Sequence, residues 1–245
     1  MKVSSKFLRF AAACAMLSAL TTLVVHVVPE LWADANTFEK QLELRNNAYY
    51  LGRLWVVIIH CMLVAISMCA IALLRYRDTP VMAGLGFLSF IVFSFTEMLR
   101  TSLGIFALNR TWRAGYVSAA NEATRSWFRA AIEAYSGINN ALFFLFYVAF
   151  LLGILCYGLS LAKTVGLDRS VGWLFLFWTA LNIPALIDSV RGVESFSKWF
   201  NWVGPYFQPL ARIAIGLWLW KQAKETPMEF DPRNERTPRR VDVIH

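Results

Sequence analysis

Apolar residues in this chain gather in runs close to 20 long, set apart by short polar or basic links. Wound as a helix at about 1.5 Å per residue, such a run crosses a hydrocarbon core about 30 Å thick. The pattern predicts six spans, at about residues 10–28, 54–74, 81–106, 141–162, 171–190 and 203–220. The expected fold is an all-α polytopic membrane bundle over residues 1–222, followed by a disordered cytoplasmic tail at 223–245 that carries three prolines and many charges. The N-terminal MKVSSKFLRF and the Ala33–Ala35 stretch have the look of a secretory signal and its cleavage site. Yet Phe10 to Val28 is 19 residues, against about 7–15 for a signal core. A retained first helix is the expectation.

The placement of lysine and arginine orients the bundle. Thirteen fall on the side of both termini and of the compact links RYRDTP and KTVGLDRS, and nine on the other side over much longer loops. The positive-inside rule then puts both termini in the cytoplasm. Outside lie a polar loop, 29–53, with Glu30, Asp34, Glu39 and Glu43, and a longer segment, 109–139. In that segment Trp112, Tyr116, Ala120, Ala123, Trp127, Ala131 and Tyr135 recur every three or four residues. This spacing predicts one amphipathic helix on the outer face between spans three and four.

Hydrophobic residues make up 58% and charged residues 16% of the chain, which excludes an ordinary soluble domain. The net charge of +8 belongs to the loops flanking the spans and implies a lipid bilayer, not nucleic acid, as partner. The tail's basic residues offer a modest contact with anionic lipid. Cys14, Cys61, Cys69 and Cys156 all fall in apolar runs without a CxxC, so they read as small buried hydrophobes. Metalloprotease, nucleophile-elbow, Walker and dinucleotide-binding motifs are absent, and GLGFLS at Gly84 reads as small-residue helix packing. A catalytic set is not expected, and neither is a metal site.

The polar residues inside the spans carry the functional interest. With span three starting near Val81, Glu97 stands roughly 24 Å and Arg100 roughly 28 Å above the inner boundary, and the two, three residues apart on one face, can form a salt bridge. The same reckoning places His26, His60 and Asp188 between roughly 22 and 25 Å. Asn182 and Gln208 lie slightly deeper, and Arg212 near the middle, at roughly 13 Å. A guanidinium this deep needs a carboxylate or a water-filled cavity. Glu97 is its expected partner, with Asp188 second. Pro184, in LNIPALID, marks a kink whose freed backbone groups find local partners. His26 and His60, helped by Glu97 and Asp188, could clamp a b-type haem or a metal as a minor alternative.

The order of elements resembles the domain-of-unknown-function family numbered 4386, a large group of bacterial membrane proteins. The resemblance rests on a basic N-terminus entering span one, and on NNAYYLGRLW before span two. Span three, FLSFIVFSFTEMLRTSLGIFAL, and the run LFFLFYVAFLLGILCYGLSLAKTVGLDRSVGWLFLFWTALNIPALID extend it, for residues 6 to 220 in all. It implies a six-helix fold and no activity; the expected location is a bacterial inner membrane.

Two readings of function follow. One is a non-enzymatic membrane protein whose outer-half polar cavity binds or passes a small ligand or a proton. The other is an accessory subunit in which the polar cluster is structural and the tryptophan-rich faces of WLFLFW (Trp173–Trp178) and WLWK (Trp218–Lys221) meet a membrane partner or a second copy. The side to which Arg212 turns separates them: a void lined by Glu97 and Gln208, or a dry salt bridge.

Overall fold

The computed structural model describes residues 3–27, 37–191 and 197–225. Glu30, Asp34, the Ala33–Ala35 stretch and tail residues 226–245 lie outside them. The described chain is helical: α1 (Ser5–Val27), α2 (Phe38–Glu43), α3 (Ala48–Arg75), α4 (Pro80–Ser102), α5 (Ala114–Ser118), α6 (Glu122–Ala162), α7 (Gly166–Arg191) and α8 (Ser197–Glu225). Five stretches, Ser5–His26, Ala48–Arg75, Pro80–Ser118, Glu122–Ala162 and Gly166–Asp188, are long and apolar enough to cross a membrane. This is a multi-pass membrane protein. The predicted sixth run falls within α8, which is 29 residues long and more polar.

Each long helix packs on the next one in the chain, and α8 returns against α1, so six helices close into a ring. Cross-helix pairs such as Thr21 with His60, Phe93 with Phe146 and Tyr147 with Asn182 show neighbours running antiparallel. We call the end with the C-terminus of α1 and the N-terminus of α3 the upper end. The close approach of the helices follows from small residues at their contacts. Ala11, Ala12 and Ala15 of α1 are fully buried or nearly so. A Cβ at Gly172 of α7 would overlap the main chain of Leu161 and Ala162 on α6. Aromatic rings fill the lower interior, where Phe90 stacks on Tyr157 with centroids 5.6 Å apart and Trp178 meets Phe150 at 5.3 Å.

Local signals set the helix ends. Asn47 Oδ1 accepts the Tyr50 N–H at 3.0 Å and starts α3, while Asn121 Oδ1 accepts that of Thr124 at 2.8 Å and starts α6. Pro80 occupies the first turn of α4. The α6–α7 link turns at Gly166, whose φ of +63° suits glycine.

Residues 29–53 are not all loop: α2 and the first residues of α3 lie there. Nor is 109–139 one helix. Past Ser102 the helix continues in wide π-type turns, Leu103–Arg113, in which Asn109 and Thr111 donate to carbonyls five residues back. It ends with α5, and after Ala119 the chain enters α6, one 41-residue helix about 62 Å long. The buried face of its first half runs through Phe128, Ala131, Ile132 and Tyr135, whereas Trp127 is 62% exposed. Arg113 is buried, gives Nη1 to Asn109 Oδ1 at 2.7 Å and lies over Tyr50.

Candidate functional site: a polar cavity inside the helix ring

The close packing stops in the upper half of the ring, where a cavity of about 410 Å³ is lined by all six long helices. α1 contributes Thr22, Val25 and His26; α3 contributes Tyr50, Arg53, Leu54, Val57 and His60. Phe93, Glu97, Arg100 and Thr101 come from α4, with Gly104 from the wide turns beyond it. α6 supplies Tyr135, Asn139, Phe143, Phe146, Tyr147 and Phe150; α7 supplies Asn182, and α8 supplies Gln208 and Arg212.

Seven of the eight residues singled out from the sequence thus face one space: His26, His60, Glu97, Arg100, Asn182, Gln208 and Arg212. Asp188 does not. It is 2% exposed and is not among the residues that line the cavity.

Glu97 pairs with Arg100, as their spacing allows, and not with Arg212. Glu97 is held by Arg100 one turn on, with Nε to Oε2 at 2.7 Å and Nη2 to Oε1 at 2.5 Å. A residue three positions along the same helix is always within reach, and the planar guanidinium takes both carboxylate oxygens. Arg100 Nη1 then donates to Asn139 Oδ1 at 3.0 Å, and Tyr135 donates its hydroxyl to the Arg100 carbonyl at 3.2 Å, tying α4 to α6. Arg212 is left without a carboxylate. Among the described residues it forms no ion pair, its Nε is buried with no hydrogen-bond partner, and its guanidinium lies 5.7 Å above the Trp178 ring. The whole residue is 3% exposed.

The remaining lining groups fall into two kinds. Some are engaged: His60 Nδ1 meets Thr21 Oγ1 at 2.8 Å, Tyr147 donates its hydroxyl toward the Asn182 side-chain and main-chain oxygens, and Asn182 Nδ2 donates to the Trp178 carbonyl at 2.7 Å. That last bond lies two residues before Pro184, which is inside the continuous α7. Others are open. Arg53 gives Nε to the Val25 carbonyl at 3.0 Å, and Gln208, one turn before Arg212 on α8, brings its amide to the wall. Two prolines, Pro205 and Pro209, flank Gln208 inside α8.

Sequence reasoning missed Arg53, Tyr50, Tyr135, Asn139 and Tyr147. Arg53 and Tyr50 precede the apolar run of α3, and Tyr135 and Asn139 precede that of α6. The capping asparagines at 47 and 121 were the available signal that both helices begin earlier. The tryptophan faces are also not what their spacing suggested, since Trp178 and Trp218 are 1% and 2% exposed and only Trp173 and Trp220 reach the surface. His26 and His60 are the candidate ligands for a haem or metal; among the described residues no three His, Cys, Asp or Glu side chains gather to hold an ion.

No family model matches this chain, and no curated protein and no solved structure matches it. What the site can do follows from its own residues.

Proposed function

We propose that this protein is a non-enzymatic, six-span membrane protein, with both termini in the cytoplasm of a bacterial inner membrane, whose outer-half cavity binds or passes a small ligand. One observation carries the reading: six helices converge polar side chains on a single space, and the most deeply buried charge among them, Arg212, turns into that space without an ion pair. A cavity of this size, largely apolar with a few convergent polar groups, is the usual form of a small-molecule site. Topology supports the outer placement. The compact basic links fall at the lower end, and an α6 about twice the bilayer thickness must project at the upper end. There, its first half packs against α5. The resemblance to the family numbered 4386 adds a six-helix fold to this reading and no activity.

A purely structural role accounts for less. The Glu97–Arg100 pair lies within one helix, so it does not itself join two helices, and an unpaired Arg212 costs stability.

The test is access. In a cysteine-free background, Gln208→Cys should react with a membrane-impermeant thiol reagent added from the periplasmic side of spheroplasts, and Leu210→Cys, which is 66% exposed on the lipid-facing side of α8, should not. If Gln208→Cys resists reagent from that side while a cysteine added to the exposed Arg129–Glu133 turn is labelled, the cavity reading fails.

A further inference from the structure

Resting on that reading, we propose that the ligand is a compact oxyanion carried on an apolar or aromatic body, with Arg212 as its counter-charge. Three guanidinium groups line the cavity, those of Arg53, Arg100 and Arg212, against the single carboxylate of Glu97. Both oxygens of that carboxylate are already taken by Arg100. Arg53 and Arg212 therefore have no carboxylate of the cavity wall left to neutralise them.

Arg212 decides the class of ligand. A guanidinium removed from water without a partner is strongly unfavourable, and charge-assisted hydrogen bonds from a carboxylate or phosphate are what its planar fork fits best. The face of Trp178 at 5.7 Å offsets part of that cost through the ring quadrupole, but it leaves the buried Nε without a hydrogen-bond acceptor. Gln208 stands beside it with a further donor. A cationic ligand would add to the imbalance, and a neutral one would leave it in place.

The opposite wall decides the body. Phe93 stacks on Phe146 with centroids 4.6 Å apart, Phe143 stacks on Phe146 at 5.5 Å, and Phe150 continues the surface towards the floor. A hydrated inorganic ion would leave these rings facing water. An anionic group on an apolar body satisfies both walls at once, with the charge at α8 and the body against α4 and α6. The same chemistry is offered by a soluble aryl or alkyl carboxylate and by an anionic lipid.

The experiment compares two isosteric probes, naphthalene-2-carboxylate and naphthalene-2-carboxamide, by calorimetric titration of the full chain in nanodiscs of zwitterionic lipid. The carboxylate should bind at least about tenfold more tightly than the amide. In Arg212→Gln that preference should fall to about twofold or less, and Arg212→Lys should keep part of it. Native mass spectrometry of protein extracted from cells distinguishes the sources. An anionic phospholipid retained by the wild type and lost in Arg212→Gln supports the inference with a lipid headgroup; carboxylate preference without retained lipid supports it with a soluble ligand. Equal binding of the two probes, or a preference that survives Arg212→Gln, overturns it. Absence of both probe binding and retained lipid, with Gln208→Cys still labelled, overturns the inference and leaves the cavity reading standing. If Gln208→Cys is not labelled, both fall.

Discussion

Two buried arginines show how differently the halves of this bundle are built. At the lower end Arg75, 8% exposed, gives Nη1 to Asp78 at 2.8 Å and turns its other nitrogens towards Ser160 on α6. Ser160 in turn bonds the Thr79 hydroxyl, so the cation is one member of a closed network joining three elements. Arg212, at 3% exposure, forms no ion pair among the described residues, and its buried Nε has no hydrogen-bond partner. The surroundings differ in the same direction. Below, Tyr157 donates its hydroxyl to the Met68 carbonyl at 2.9 Å, Trp218 gives its N–H to Asp168 at 2.8 Å, and glycines let the helices touch. Above, the helices part around a void. Polar groups in an apolar medium persist when they are satisfied or when they are used; the lower half is the first case, and we read the upper half as the second.

The largest effect should come from disturbing the packed half. Gly172→Ala places a methyl group on the Leu161–Ala162 main chain, which cannot move aside as a side chain could. A loss of about 3 kcal/mol is expected, read as a lowered unfolding temperature in detergent. Gly84→Ala is the control, because nothing lies within 4 Å of its Cβ position. It should stabilise by about 0.5–1 kcal/mol through helix propensity. Equal effects of the two would mean that close approach of α6 and α7 does not hold the lower half together.

Next in size is the cavity's own ion pair. Glu97→Gln removes the charge that Arg100 grips with two nitrogens and turns one acceptor into a donor, leaving a half-buried guanidinium with neutral partners only. Stability should fall by about 2 kcal/mol. Glu97→Asp should recover little, since the shorter chain cannot reach both nitrogens. A loss under about 0.5 kcal/mol, as at exposed pairs, would show water reaching the pair freely and would make the upper half wetter than its burial suggests. Smaller again is Tyr157→Phe, which deletes one buried hydrogen bond to the Met68 carbonyl and keeps the ring stack on Phe90. It should cost about 1 kcal/mol with no effect on any ligand. A change in ligand affinity from this lower-half substitution would break the separation between the halves.

The difference between the halves was only partly visible along the chain. Helix rise is nearly constant, so the height of His26, His60, Glu97, Asn182, Gln208 and Arg212 follows from counting residues. Rotation about the helix axis depends on packing and cannot be counted off in the same way, and Asp188, at a similar counted height, is not among the residues that line the cavity. The Glu97–Arg100 pair was legible from its spacing of three along one helix. A carboxylate for Arg212 was expected from height across the bundle, and there counting along the chain carries less, because Glu97 is already held by the nearer Arg100. Arg53 and Asn139 escaped notice because α3 and α6 extend past their apolar runs, where hydropathy falls silent and only the capping asparagines speak. The wide turns at Leu103–Arg113 had no sequence signal that separates them from ordinary helix.

The smallest expected change in stability is also the one that divides the two halves most sharply. Arg212→Met replaces a buried, unpaired cation by an apolar side chain of similar length, and Arg75→Met does the same to a paired one. Removing a buried charge that has no partner relieves a desolvation cost, so Arg212→Met should leave the ligand-free protein unchanged or stabilise it by about 1 kcal/mol. Arg75→Met takes the partner from Asp78, which is exposed, and the donors from Ser160, and should destabilise by about 1–2 kcal/mol. Thermal unfolding of both variants in the same detergent checks the ordering. A protein in which Arg212→Met unfolds well below wild type, with no copurified anionic molecule to explain the loss, would have Arg212 bonded within the bundle. The cavity would then be a packing defect around a structural arginine rather than a place prepared for an anion.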